Sequence, residues 1–377
     1  MEFTGDYSHL KDYIESRVGP LAGYLRFSTI PLILELRLFE ELCSYNVTIL
    51  KAVAALYEGC EGAIYPHMEE DFVRRIEGLK DPPESITLAR LDFMRNSKGS
   101  YVCFDLNTQP GTPGSIVWGA CGFIEGGGMI DLKGGSMLSY SNVFPILSSY
   151  FRSRSNGLPK VALYESENSS LHNRLQDMLK RMCEVITGFG LFRYDFVRDE
   201  DDLQYYDIIE PFFNLNGDLD TVYSNYETAI ESDKPLASNL KLAPYESKDF
   251  AFTELLDGMM SSEKIEGVKS CVAEEKEIGF VEKSLFGMSG SGFGGKISNN
   301  WPDRIVKQEA LKPDVIDVSV DGEEMRMIYE IGITSLLHFK KRRLIDFLPC
   351  VDLTVKASTD HPISGPDTVV IPALVKR

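Results

Sequence analysis

The sequence predicts an α+β fold with a helical N-terminal region, a β-hairpin, an α/β segment and a pair of strands around a glycine-rich loop. Three observations carry this expectation. Apolar residues recur at helical spacing early in the chain, residues 86–110 alternate with a period of two, and residues 160–209 read strand, helix, strand.

Residues 7–80 read as mostly helical, with Leu34, Leu38 and Leu42, then Leu50, Val53, Ala54, Leu56 and Tyr57 on shared faces, and Pro31 near a helix start, where it is tolerated. The hairpin follows, and Pro110-Gly111-Thr112-Pro113-Gly114 ends it. Lys160 to Glu165 reads as a buried strand, with Ser169 or Ser170 capping a helix through Leu171, Leu175, Met178, Leu179, Met182 and Ile186. Gly188 and Gly190 end that helix, and Phe192–Val197 and Tyr205–Ile209 are further strands. Residues 215–250 are polar and turn-rich, a plausible boundary. The expected division is 1–85 (helical), 86–235 (hairpin and α/β segment), 236–315 (glycine-loop lobe) and 316–377 (C-terminal part).

The hairpin carries the chemistry. With a turn centred on Lys98-Gly99, opposed residues sum to 197, so Asp92 faces Asp105 and Arg90 faces Asn107. Leu91, Phe93, Val102, Phe104 and Leu106 then share the other face, where burial is expected. Two carboxylates and an amide oxygen on paired strands are hard donors of the kind that hold Mg²⁺ beside phosphates. Opposed aspartates repel unless a cation lies between them. The alternative is a half-exposed hairpin with a polar outer face.

Composition limits the partners. The chain has 377 residues, 57 acidic against 39 basic, for a net charge of −18, which repels a phosphate backbone and argues against nucleic acid as partner. Cys43, Cys60, Cys103, Cys121, Cys183, Cys271 and Cys350 contain no Cys-x-x-Cys pair, which points to buried thiols in a reducing compartment rather than a disulfide frame or zinc site. The N-terminus lacks a signal-peptide pattern and no apolar run is long enough for a membrane span, so a cytoplasmic protein without membrane attachment is expected. Its oligomeric state is left open.

Gly279 to Leu285 reads as a strand, with a second strand starting at Lys296-Ile297. Between them, Gly287-Met-Ser-Gly-Ser-Gly-Phe-Gly-Gly295 has five glycines in nine positions, which lets backbone N–H groups approach anionic oxygens. Ile297 stands where a Walker A loop needs Ser or Thr, and neither His-Arg-Asp nor Asp-Phe-Gly occurs, which argues against a P-loop protein and a protein kinase.

Lys283, a strand, this loop, a second strand and then Gln308-Glu309 together are similar to the nucleotide-binding half of the ATP-grasp superfamily. Arg90-x-Asp92 followed by Asp105-x-Asn107-Thr-Gln-Pro110 resembles the permuted glutathionylspermidine-synthetase-like branch. The resemblance runs over about residues 86–335 and implies an ATP-grasp-like fold in permuted order, with ATP and Mg²⁺ as cofactors. It implies that Asp92, Asp105 and Asn107 hold Mg²⁺ and that Lys241 and Lys283 contact phosphates. It further implies that Gln308 and Glu309 line the adenine pocket and that Gly287, Ser289, Gly290, Ser291, Gly292 and Gly294 close over the phosphates. Arg90 would offset the negative charge that builds during transfer. Asp105 stands where the family has Glu, and the turn after Asn107 is one residue tighter. Residues recognising glutathione and spermidine have no match, so no substrate is transferred.

The expected activity is an ATP-dependent carboxylate–amine ligase acting through an acyl phosphate on a small-molecule or peptide acid and an amine. The histidines (His9, His67, His172, His338, His361) form no catalytic cluster. Alternatives are a non-catalytic ATP-grasp-like binding protein and a phosphotransferase. Arg193-Tyr-Asp-Phe196 echoes Arg90-Leu-Asp-Phe93, so Asp195, Asp207 and Glu210 form a competing metal hairpin, although Glu210 to Asn214 lacks the carboxylate-x-amide spacing. The basic cluster Lys340 to Arg343 reads as a solvated helix face or an anion contact.

Overall fold

A computed structural model of the protein describes residues 26–28, 31–59, 70–95, 100–108, 129–132, 135–138, 143–167, 173–212, 219–246, 265–267, 270–272, 280–284, 305–309, 314–320, 322–359, 368–371 and 373–376. In chain order they form β1 (Arg26–Phe27), β2 (Leu32–Glu35), α1 (Leu36–Gly59), α2 (Glu70–Gly78), β3 (Glu84–Arg95), β4 (Tyr101–Asn107), β5 (Met129–Leu132), β6 (Gly135–Leu138), α3 (Val143–Arg152), β7 (Lys160–Tyr164), α4 (Asn173–Gly188), β8 (Arg193–Val197), β9 (Ile208–Pro211) and α5 (Leu219–Glu231). There follow β10 (Ile265–Gly267), β11 (Ser270–Val272), β12 (Phe280–Ser284), β13 (Ile305–Glu309), β14 (Val315–Val320), β15 (Glu323–Lys340), β16 (Arg343–Ser358), β17 (Val369–Ile371) and β18 (Ala373–Lys376).

The largest sheet runs β1-β17-β16-β15-β3-β4-β10, with β14 also paired to β15. Its strands come from all four segments into which the sequence reading divides the chain. β14 takes up β15 where β3 leaves it, and the Asp314 N–H donates to the Arg95 carbonyl at 2.7 Å. α1 lies against one face. Its Phe39, Leu42, Ile49, Leu50, Val53, Ala54 and Tyr57 are buried with Leu91, Phe93, Ile331, Ile333, Leu353 and Val355, and Tyr45 meets Phe93 edge-on at 5.7 Å.

The α/β segment is a parallel sheet in the order β8-β7-β9. Residues 235–237 stitch it to the large sheet. Leu236 N–H donates to the Glu84 carbonyl at 2.9 Å and its carbonyl accepts from Ile86 at 2.8 Å, while Ala237 N–H reaches the Ile209 carbonyl at 2.8 Å. Leu88 and Leu336 of the large sheet thereby join the core that contains Phe144, Leu147, Val161 and Leu163.

The structure corrects several expectations. Residues 26–27 and 32–35 are strands, because β1 and β2 each find a parallel partner in β17 and β18; Pro31 precedes a strand. Pairing partners more than 300 residues away outweigh local helical spacing here. Within the stretch 215–250 the described residues 219–246 are ordered into α5 and a buried 3₁₀ turn at 240–246. Lys340 to Arg343 is the tight turn between β15 and β16, with Lys341 at φ 53° and Lys340 opposite Arg343, and not a helix face. Arg342 donates to the Tyr57 carbonyl at 3.1 Å.

At the opening of β3, Glu84 accepts from Arg154 and is 2.6 Å from His338 Nε2. Burial pushes its carboxyl up, but Arg154 and His338 together pull it further down, to a net value below the ordinary 4.5. The folded protein then holds this proton less tightly than the unfolded chain. The cluster's contribution is complete above the ordinary carboxylate range and is lost as pH falls through the lowered value. Melting temperature recorded from about pH 7 to about pH 3 should fall more steeply for the native protein than for Glu84→Gln, and parallel curves would refute the assignment.

Candidate functional site: a charged face at the centre of the sheet

Strand parity divides the central strands between two environments. On β15, Ile331 and Ile333 belong to the α1 core, so Glu330, Gly332 and Thr334 belong to the opposite face. The pairings set a grid on that face. Asp352, Thr334, Arg90 and Asn107 form one row across β16, β15, β3 and β4, and Thr354, Gly332, Asp92 and Asp105 form the next. Lys356 stands opposite Glu330 in the row beyond.

The hairpin pairs Arg90 with Asn107 and Asp92 with Asp105, as the alternation predicts. A bulge follows. Phe93 pairs with Cys103 and Met94 with Val102, so Phe104 is extra, the sum of 197 holds only for residues 90–92 against 105–107, and Val102 changes parity. The five apolar residues are buried as expected, but Arg90 and Asp92 are buried too, at 7% and 3% exposure. On β4 the polar residues Asp105 and Asn107 are partly exposed, so the half-exposed alternative holds for that strand and not for β3.

The counter-charge of Asp92 is supplied by the chain itself. Arg90 Nε donates to Asp92 Oδ1 at 2.6 Å and its terminal nitrogen to Oδ2 at 2.9 Å, a two-pronged pair that uses the planar guanidinium fully. Asn107 Nδ2 also donates to Asp92 Oδ2, at 2.9 Å. Burial opposes the charge on Arg90, yet Asp92, its hydrogen bonds, Glu330 and Asp105 outweigh it and raise the guanidinium above its ordinary range. Glu330 and Lys356 form a second buried ion pair. Burial raises the Glu330 carboxyl; Lys356 pulls it down while Asp92 adds to the rise.

Gly332 is required by this packing. A Cβ there would lie 2.5 Å from Thr354 Oγ1, 2.7 Å from Arg90 Cδ and 3.0 Å from Asp92 Oδ1. The sequence reading missed Glu330, Gly332, Asp352, Thr354 and Lys356, although Asp352, Thr354 and Lys356 alternate with Val351, Leu353 and Val355 at a period of two.

The other proposed site residues lie elsewhere. Lys241 is buried, with Nζ 3.0 Å from Asp81 Oδ1 and donating to the Leu79 carbonyl at 2.8 Å, just beyond the C-terminal end of α2. A phosphate contact would draw this ammonium away from those partners. Lys283 and Gln308 are on adjacent strands, with Lys283 opposite Val306 and Gln308 opposite Val281, while Glu309 is opposite Phe280. Gly287, Ser289, Gly290, Ser291, Gly292 and Gly294, and the strand expected from Lys296, lie outside the described residues.

The competing placement is not a hairpin. β8 and β9 flank β7 on opposite sides, so Asp195 and Glu210 are separated by a strand. Asp195 accepts from Arg193 at 2.5 Å and from Tyr206 at 3.1 Å, Asp207 accepts from the Lys160 N–H at 2.9 Å, and Glu210 accepts from the Tyr194 hydroxyl at 2.6 Å. Helical crossovers make the strands parallel and keep these carboxylates apart.

Among the described residues, no group of three His, Cys, Asp or Glu side chains is placed to hold a metal ion, and no helix is long and apolar enough to cross a membrane. The oxygen donors that the hairpin contributes to the grid are Asp92, Asp105 and Asn107. Both Asp92 oxygens are engaged by Arg90 and Asn107, and Asp105 and Asn107 carry oxygens of the type that hard cations take.

No protein-family model matches the chain, and no curated protein sequence matches it. Among solved structures, it is similar to a glutathione synthetase-like effector from Globodera pallida in its apo form. The TM-score is 0.58 at 14% identity, over 98% of this chain and 96% of that one. At that identity the likeness is one of fold: a mixed α/β architecture shared with that glutathione synthetase-like protein.

Two substitutions probe the grid by chemical denaturation. Gly332→Ala should destabilise by about 1–3 kcal/mol through overpacking. Arg90→Leu should cost more, about 3–5 kcal/mol, because it leaves Asp92 without its buried partner charge. A neutral result for Arg90→Leu would mean that the pair is not formed.

Proposed function

We propose that the protein is an ATP-dependent carboxylate–amine ligase of the ATP-grasp type, with its metal-site hairpin ahead of its glycine loop in permuted order. The observation that carries this reading is the grid itself. Arg90 and a row of oxygen donors meet at the centre of a sheet in a glutathione synthetase-like fold.

Asp105 and Asn107 would hold Mg²⁺, which when bound neutralises charge between phosphate oxygens. Asp92 holds both Arg90 and Asn107 in place, and in the resemblance it is a third metal ligand. Arg90 offsets charge as a phosphoryl group passes to a substrate carboxylate, after which an amine displaces phosphate to form the amide. Lys283 contacts phosphates, with Lys241 where it leaves Asp81. Gln308 and Glu309 line the adenine pocket, and Gly287, Ser289, Gly290, Ser291, Gly292 and Gly294 exclude water. The grid holds Asp92, Asp105, Glu330 and Asp352 against Arg90 and Lys356. That excess of carboxylates favours a divalent cation beside phosphate.

A second reading, a binding protein without turnover, is favoured by one feature: Asp92 is closed by Arg90 and Asn107, a self-contained arrangement. ATP titration by calorimetry with and without Mg²⁺, together with ADP release in mixtures of amino acids and amines, separates the two. The ligase reading expects Mg²⁺-dependent binding, weakened about tenfold or more by Asp105→Asn, and ADP release that needs both acid and amine. Binding without release supports the second reading, and absence of nucleotide binding overturns both.

A further inference from the structure

The face of the sheet opposite the grid brings together two cysteines that the proposed chemistry does not use. Cys43 is on α1 and Cys350 on β16, and their thiols are in hydrogen-bonding contact although 306 residues of chain separate them. Both are free and partly exposed, whereas Cys103 and Cys183 are buried.

The backbone around Cys350 is specialised. It has φ 52°, in the left-handed region where a non-glycine residue is uncommon. It falls in the irregularity where β16 slips against β15, between the Thr334–Asp352 and Leu336–Leu348 pairs. Its N–H donates to Ser335 Oγ at 3.0 Å, and Ser335 in turn hydrogen-bonds Asn46. Asn46, fully buried one turn beyond Cys43, donates to the Ile333 carbonyl at 2.8 Å. Hydrogen bonds on both elements thus hold the helix turn and the bulge in register, and the two sulfurs lie within that frame.

We propose that Cys43 and Cys350 form a redox-modification site, closing to an intramolecular disulfide that ties α1 to β16 when a peroxide is present. The hydrogen bond to Cys350, then burial, then the charges of Cys350 and Glu40 all push the Cys43 thiol up. Whichever sulfur attacks first, the product is the same. With Cys350 attacking, its sulfur bonds to one oxygen of hydrogen peroxide, the O–O bond breaks, and the departing hydroxide takes up the thiol proton as water, leaving a sulfenic acid. The Cys43 sulfur then displaces the hydroxyl, which leaves as a second water with the Cys43 proton. Two thiols lose two electrons and one peroxide becomes two waters. The new bond spans most of the chain, which restricts the unfolded ensemble and stabilises the native state.

The test treats the full-length reduced protein with hydrogen peroxide, blocks remaining thiols with iodoacetamide and maps peptides by mass spectrometry without reductant. The expected result is a Cys43 peptide joined to a Cys350 peptide, two hydrogens lighter than their sum. A melting temperature several degrees higher, reversed by dithiothreitol, should accompany it. Cys350→Ser and, separately, Cys43→Ala should lose both the link and the shift, while Cys103→Ser keeps them. Sulfinic acid at either residue without a linked peptide, alkylation of both thiols after peroxide, or a link between other cysteines would each overturn the proposal. The mapping on the native chain needs no variant to fold.

Discussion

Everything in this molecule depends on the pairing of β15 with strands on both sides over most of its length. Residues 331–340 bind β3 on one edge, residues 328–340 bind β16 on the other, and residues 323–328 bind β14. A strand so fixed has no freedom of register, and a one-residue slip would exchange every side chain between its faces. Ile331, Ile333 and Ser335 would leave α1 and Glu330, Gly332 and Thr334 would enter the apolar core. The register that builds the hydrophobic core therefore also assembles the charged grid.

The local part of this was readable in the sequence. Alternation from Arg90 to Asn107 is strict enough to place Arg90 against Asn107 and Asp92 against Asp105. The bulge at Phe104 was not readable, because Tyr101, Val102, Cys103 and Phe104 are all buried and a continuous apolar run carries no parity. The other half of the grid had a signal in the alternation from Val351 to Ala357. What no local pattern supplies is the pairing of β3 with β15, strands about 240 residues apart, since period two fixes which face a residue takes but not which strand lies beside it.

The errors share one physical origin. Leu34 looked helical beside Leu38 and Leu42, yet it sits on β2 because β18 offers an edge. The polar stretch 215–250 looked like a boundary, yet Asn239 is buried there, donating to the Tyr57 hydroxyl at 3.1 Å and accepting from the Tyr226 hydroxyl at 3.1 Å. In each case a partner distant in sequence satisfies a group whose local context points elsewhere, and buried polar groups hold their place only when such partners exist.

The energetics of the grid bear on why it is there. Moving a carboxylate or guanidinium from water into a protein costs several kcal/mol per ion, and well-packed apolar side chains in place of buried ion pairs are often neutral or stabilising by about 1–4 kcal/mol. The same strands show the cheaper solution on their other face, where Leu91, Ile331, Ile333, Leu353 and Val355 pack against α1. Six ionisable groups on the face turned away from α1 are thus a poor way to stabilise a sheet. Under the proposed function their arrangement is matched to charge that arrives from outside: a two-pronged Arg90–Asp92 pair fixes a guanidinium beside Asn107, and Asp105 adds an oxygen donor on the same strand face. Gly332 keeps the backbone low enough for Arg90 and Thr354 to meet over it. A site of this construction is organised before any ligand binds, so that little of the binding energy is consumed in ordering it.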